Sequence, residues 1–307
     1  MKHTYKIFIA ALLLSTVVFS CKTDTSSDKK EVEETLTTGN ATIMVDNTVQ
    51  PIIEDVLDIF HSVYDRSQIT QINRTETEVV NALIQDSVSV VVMPRLLTEE
   101  ENAHFKKRKI IPQITHFASD AIAFVANKQA QDTVVNLEEI LKLLKGQKSD
   151  KVQKLVFDNA NSSTIQYLLK LAGIKQVASQ NIYSLKTNEE VIKYVHDNPG
   201  AVGVVGVNWL SQPMPEMEKY VSGITVLAVD NVKIDKGEKK YYMPTQSNIA
   251  TGSYPLVRKL YVLNYSNRNG LGMGFATYIG AFEGQRIILK SGLLPVKIPT
   301  REIEVQN

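Results

Sequence analysis

One strand–loop–helix unit constrains this chain more than any other stretch. Residues 152–157 (VQKLVF) predict a short buried strand. After it come Asp158-Asn159-Ala160-Asn161-Ser162-Ser163-Thr164, a polar loop rich in hydroxyls. Ile165, Leu168, Leu169 and Ala172 then recur at i, i+3, i+4 and i+7, the apolar face of a helix, which Gly173 stops. Three side-chain oxygens and the free N–H groups of the first turn therefore gather at one spot, where the helix dipole favours an anion. Two readings stand: a Ser/Asn cap without a ligand, or an anion site. Capping needs one side chain, and three consecutive hydroxyls exceed that need.

The same alternation runs through the chain. Residues 41–46 (ATIMVD) predict a strand, with Thr48 in the loop that follows and Pro51 at a first-turn position. Ile52, Val56, Leu57, Phe60 and Val63 mark the next helix face. After a strand over 69–73, Thr75-Glu76-Thr77-Glu78 has the capping-box pattern and opens a helix through residue 84. Residues 87–93 (SVSVVVM) are nearly all apolar, as in a sheet covered on both faces, and Arg95 follows at the C-terminal end. Thr98 opens another capped helix, which closes on basic residues 106–109.

Extended segments over 110–117 and 120–127 predict the passage into a second domain. Helices are expected over 136–145, 188–196 and 274–290, and strands over 201–207, 224–229 and 254–265. Gly203 and Gly206 inside one of those strands suggest a close backbone approach. Arg258 reads as a solvated strand residue, Trp209 as core or lobe packing, and Tyr241-Tyr242 as a lid or surface loop. Alternating strands and helices imply an α/β protein with mostly parallel sheets, whose ligands sit at the C-terminal strand ends.

The first residues stand apart from this pattern. Residues 7–19 form an apolar run too short to span a bilayer, flanked by Lys2 and Lys6, as in a secretory leader. Val18-Phe19-Ser20-Cys21 resembles the lipobox of bacterial lipoproteins, in which the cysteine is acylated. Cys21 is the sole cysteine, so no internal disulfide competes for it. Residues 1–21 are thus expected to be a signal peptide and 22–38, polar and charged, a disordered tether. A net charge of +1, without basic runs that interleave aromatics, argues against nucleic acid as a partner. His61, His104, His116 and His196 lack metal-ligand spacing, and no cofactor motif is present.

In order, these motifs resemble the phosphate-binding proteins of bacterial ABC importers. Asn161-Ser162-Ser163-Thr164 is similar to that family's Gly-Ser-Gly-Thr phosphate loop, and Asn198-Pro199-Gly200-Ala201-Val202-Gly203 to its Pro-Gly-Ala-Ile-Gly-Tyr stretch. Tyr254-Pro255-Leu256 and Gly284-Gln285 follow in the family's order. The resemblance implies a two-lobed periplasmic-binding-protein-like fold of type II, with a double crossover hinge. Lobe one would be 39–117 plus 246–307, and lobe two 118–245. It further implies a monomeric, lipid-anchored, extracytoplasmic protein that captures phosphate or a similar oxyanion for an ABC permease, without catalysis.

Carried over by position, Thr48, Thr75, Thr77, Ser162, Ser163 and Thr164 would bind the anion. The family has an aspartate where Arg95 stands and an arginine where Asp158 stands. Arg95 and Asp158 are therefore expected in the site, reading the anion as an exchanged donor–acceptor pair; an interlobe salt bridge, or no meeting, is the other reading. An envelope sensor or assembly partner on the same fold stays open as an alternative. A phosphatase-like enzyme at Asp46-Asn47-Thr48 does too, although Thr48 stands where that motif needs a second aspartate.

Overall fold

The computed structural model describes residues 34–299, apart from 131–132, 178–180, 236–237 and 239. The expected leader, Cys21 and most of the expected tether lie outside the described residues.

Strand β1 (Gly39–Asp46) leads through a single 3-10 turn into α1 (Gln50–Val63), and β2 (Ser67–Arg74) into α2 (Glu76–Ile84). Strand β3 (Val90–Met93) is followed by α3 (Glu99–Lys107). The three strands run parallel in the order β2-β1-β3. Thr75 and Thr98 close the capping boxes expected of them, each paired with a glutamate three residues on.

The apolar run over β3 divides by parity. Val90 and Val92 pack with Phe60 and Phe275, while Val91 and Met93 pack with Leu83 and Phe105. Each face thus meets its own helices, as a run without alternation requires. Every fully buried side chain of this kind contributes about 1.5–3 kcal/mol relative to exposure.

The two extended segments expected over 110–127 are one strand, β4 (Gln113–Asn127). Its first part, to Ala121, pairs antiparallel with the later strand Val257–Asn264, and Ile122–Ala126 pairs with a second group of strands. That group begins with β5 (Val134–Val135) and α4 (Leu137–Leu144), followed by β6 (Lys154–Phe157) and α5 (Ser163–Ala172). It continues with β7 (Ile182–Ser184), α6 (Asn188–Asp197), β8 (Ala201–Gly206) and the short α7 (Asn208–Ser211). Strand β6 lies parallel between β7 and β8. After α8 (Glu218–Ser222), β9 (Ile224–Asp230) returns to β4, and β10 (Tyr241–Tyr242) pairs with β9. The pair Tyr241-Tyr242 is therefore sheet edge, with the Tyr241 hydroxyl donating to Asn136 Oδ1 at 2.7 Å.

The chain crosses back through α9 (Gln246–Ala250) and β11 (Val257–Asn264), which lies antiparallel between β3 and β4. The sheet order is then β2-β1-β3-β11-β4-β8-β6-β7, so β4 and β11 carry the chain between the two parallel groups. Helix α10 (Leu271–Gly280), α11 (Phe282–Lys290) and β12 (Leu294–Pro295) finish the first group. The single helix expected over 274–290 is thus two, broken at Ala281, whose ψ of 176° is extended. Gln285 holds the break: its Nε2 donates to the Ile279 and Phe117 carbonyls at 2.8 and 2.9 Å.

Candidate functional site

A buried polar cluster sits where β1, α5, β4 and β11 converge. Asp46 ends β1, and its Oδ1 accepts from the Thr48 N–H at 2.8 Å and the Thr48 hydroxyl at 2.6 Å. This side-chain turn fixes the loop before α1. The same Oδ1 accepts from Ser163 Oγ at 3.0 Å, and Ser163 Oγ lies 2.8 Å from Thr48 Oγ1. Residues 115 apart in sequence, from the two strand groups, are therefore in direct contact. From the other side, Asn208 Nδ2 and Trp209 Nε1 donate to the Thr48 carbonyl at 2.8 and 3.1 Å.

Arg258 is the hub. In the β4–β11 ladder it stands directly opposite Asp120, and its Nη2 donates to Asp120 Oδ2 at 2.6 Å. Its Nη1 reaches Ser163 Oγ at 3.1 Å, Thr48 Oγ1 at 3.2 Å and Thr164 Oγ1 at 3.3 Å. Arg258 is 3% exposed and Asp120 fully buried, so the pair survives only because each charge has the other. Gly206 makes the room: a Cβ there would lie 3.0 Å from Asp120 Oδ2 and 3.2 Å from Arg258 Nη2. Gly203 admits Val195 and Val125 in the same way, at 2.7 and 2.9 Å. Both glycines of β8 thus mark close approach, as the strand's sequence suggests.

Burial dominates the electrostatics. It pushes the carboxyl groups of Asp46, Asp120 and Asp158 up from the ordinary range, against their hydrogen bonds and the charge of Arg258. Asp120 bonds the guanidinium directly, and Asp46 reaches it through the Thr48 and Ser163 hydroxyls. Asp46 Oδ2, Asp120 Oδ1 and Arg258 Nε are buried and have no hydrogen-bond partner. Among the described residues, no group of three His, Cys, Asp or Glu side chains is placed to hold a metal ion.

The expected site residues divide sharply. Thr48, Ser163 and Thr164 meet on Arg258. Ser162 instead accepts from the Ile165 N–H as the α5 cap and donates to Asp158 Oδ1 at 2.6 Å. Asp158 also accepts from Asn188 Nδ2 at 3.4 Å and so staples its own loop. Thr75 caps α2 by bonding Glu78, and Thr77 is exposed.

Arg95 corrects one expectation. It binds Glu76 through Nε at 2.7 Å and Glu101 through Nη1 at 2.7 Å, so the Arg95–Asp158 pair does not form. Arg258 corrects a second: read as solvated, it is the buried centre of the cluster. A signal was available, because period-2 alternation puts 258 on one face with Leu260 and Val262, both fully buried. A charge on the core face of a strand demands a partner.

The model of the PBP superfamily domain matches residues 31–281. The chain belongs to the PBP superfamily. Among relatives of this PBP chain, the phosphate-binding protein PstS of Borreliella burgdorferi is 22% identical, over 95% of this chain and 99% of that one. A Clostridium perfringens structure described as a phosphate ABC transporter substrate-binding protein with bound phosphate superposes with a TM-score of 0.69. It is 17% identical and covers 84% of this chain and 100% of its own. An ABC-type phosphate transport receptor from Vibrio cholerae gives a TM-score of 0.62 at 18% identity, covering 84% of this chain and 100% of that one. At these identities the shared property is the two-lobed fold.

Proposed function

We propose that this PBP-superfamily chain is an extracytoplasmic solute-binding protein that captures a phosphate-type oxyanion for an ABC permease, without chemistry of its own. One observation carries the reading: hydroxyls from both strand groups, Thr48 on one side and Ser163 and Thr164 on the other, converge on a single buried arginine. Convergent donors from two lobes are what a closing jaw needs to grip an anion. The names of the relatives supply the ligand class. The α5 N-terminus adds backbone donors and a favourable dipole.

On this reading the lobes are 39–117 with 246–307, and 118–245, joined through β4 and β11. The oxyanion enters where Thr48 and Ser163 now touch, between the lobes. Cys21 carries the lipid that holds the chain at a bacterial membrane. Among the described residues no helix is long and apolar enough to cross one.

A second reading has its own observation. Asp46 Oδ1 already takes three donors, as a bound oxyanion would. That favours a ligand-free sensor or assembly partner on the same fold.

Trp209, the sole tryptophan, touches Thr48 and reports on the site. Titrating phosphate, arsenate and sulfate should change its fluorescence saturably with phosphate and arsenate. Ser163→Ala, which removes the hydroxyl shared by both lobes, should weaken that response at least about tenfold, or 1.4 kcal/mol. A flat titration with all three anions, matched by no heat in calorimetry, would leave the sensor reading standing.

A further inference from the structure

The buried cluster adjoins a cleft much larger than an inorganic oxyanion. The cleft has a volume of about 760 Å³, and Ser163 and Arg258 form part of its wall. The rest of the wall includes Tyr167 and Leu171 from α5 and Tyr261 from β11. Lys170 and Lys259 stand at its edge, both exposed.

The size is not simply that of a jaw left open. Thr48 and Ser163 already touch at 2.8 Å, so the two strand groups are in contact behind the cleft while the volume persists. Cavities of about 300–1,000 Å³ suit ligands with an organic body. Four oxygens around one phosphorus would leave most of this one empty.

The charges point the same way. Arg95 and Glu76, both on the wall, pair with each other, and Arg95 also binds Glu101. Lys170 and Lys259 have no carboxylate partner among the described residues. Arg258 also lines the cleft, and its Nε–H is a buried, charged donor without an acceptor. A buried donor of that kind costs free energy until something accepts from it.

We propose that the cleft takes an organic phosphate monoester, with its phosphate on Arg258 and Ser163 and its apolar body between α5 and Tyr261. The proposal rests on the oxyanion reading above and narrows it to esters carrying a flat or aliphatic group. The tyrosines and Leu171 would cover that group, and the two lysines would draw the anion in.

Calorimetric titration of the chain with phenyl phosphate and, separately, inorganic phosphate decides the matter. Phenyl phosphate should bind at least about tenfold more tightly, because only it removes apolar surface from water. Leu171→Ser, an exposed position that leaves the core intact, should narrow that gap to about threefold or less. Inorganic phosphate binding as tightly as phenyl phosphate, or more so, would overturn the ester proposal and leave the oxyanion reading in place. Binding of neither ligand would overturn both. A gap that Leu171→Ser does not narrow would overturn the placement of the body in this cleft.

Discussion

Two arginines, one just past β3 and one in the neighbouring β11, show how differently one residue type can be used. Arg95 follows β3 at its C-terminal end and stays partly exposed, with a side-chain exposure of 31%, between Glu76 and Glu101. Arg258, in β11 beside β3, is sealed at 1% side-chain exposure against Asp120. Both make charge-assisted hydrogen bonds of 2.6–2.7 Å. The difference is water. Near the surface, solvent reaches Arg95 and Glu101 and screens their bridge, and only Glu76 of the three is mostly buried. Inside, Asp120 is fully buried and its ion pair is with Arg258, so Arg258 controls both packing and chemistry. Bond length alone ranks these two sites as equals; burial separates them.

The largest test of this contrast is Arg258→Met, which leaves Asp120 buried without its counter-charge. Denaturant unfolding should lose about 3–5 kcal/mol, and oxyanion binding should vanish. Replacing Asp120 by Leu in the same chain should recover part of that stability, since the uncompensated charge is gone, but none of the binding. If Arg258→Met costs no more than Arg95→Ala, burial is not what divides the two sites.

A middle-sized effect should appear with pH. Burial raises the Asp46 carboxyl above its ordinary value of 3.8, with its hydrogen bonds and Arg258 opposing. A carboxyl whose folded pKa lies above the unfolded one favours folding below the unfolded value. That contribution is lost as pH rises through the folded pKa. Melting curves taken upward from about pH 4 should therefore show a declining contribution from Asp46, and Asp46→Asn should flatten the decline relative to the unaltered chain. An identical pH slope in both would mean that Asp46 titrates normally in the folded cluster.

The smallest effect belongs to the rim. Arg95→Ala should cost about 1 kcal/mol or less, the upper part of the range reflecting Glu76, which loses a partner while mostly buried. Its affinity for inorganic phosphate should stay within about twofold, and salt should erase most of the stability difference. A loss of phosphate binding would make Arg95 a ligand of the anion.

The local units of the fold were legible because they rest on short-range physics. The apolar run through Val90–Met93 announced a sheet covered on both sides, and the capping boxes at Thr75 and Thr98 announced helix starts. The loop from Asp158 to Thr164 likewise declared a strand end, a cap and a cluster of hydroxyls before any fold was known. Which of those hydroxyls meet across the molecule was not legible. Ser162 turns back to cap and to Asp158, while Ser163, one residue on, faces Thr48 and Arg258. Neighbouring residues at a helix start point in different directions, and only the docked partner decides which direction matters.

The alternation of strands and helices, their caps and the hydroxyl-rich loop follow from the residues alone, since each depends on positions a few apart. Long-range pairing makes Arg258, not Arg95, the central cation. That choice depends on the β4–β11 register that sets Arg258 opposite Asp120, residues 138 apart, and on Gly206 leaving space beside them. A buried charge is tolerated only where its counter-charge is delivered, and delivery is a property of the pairing of distant strands.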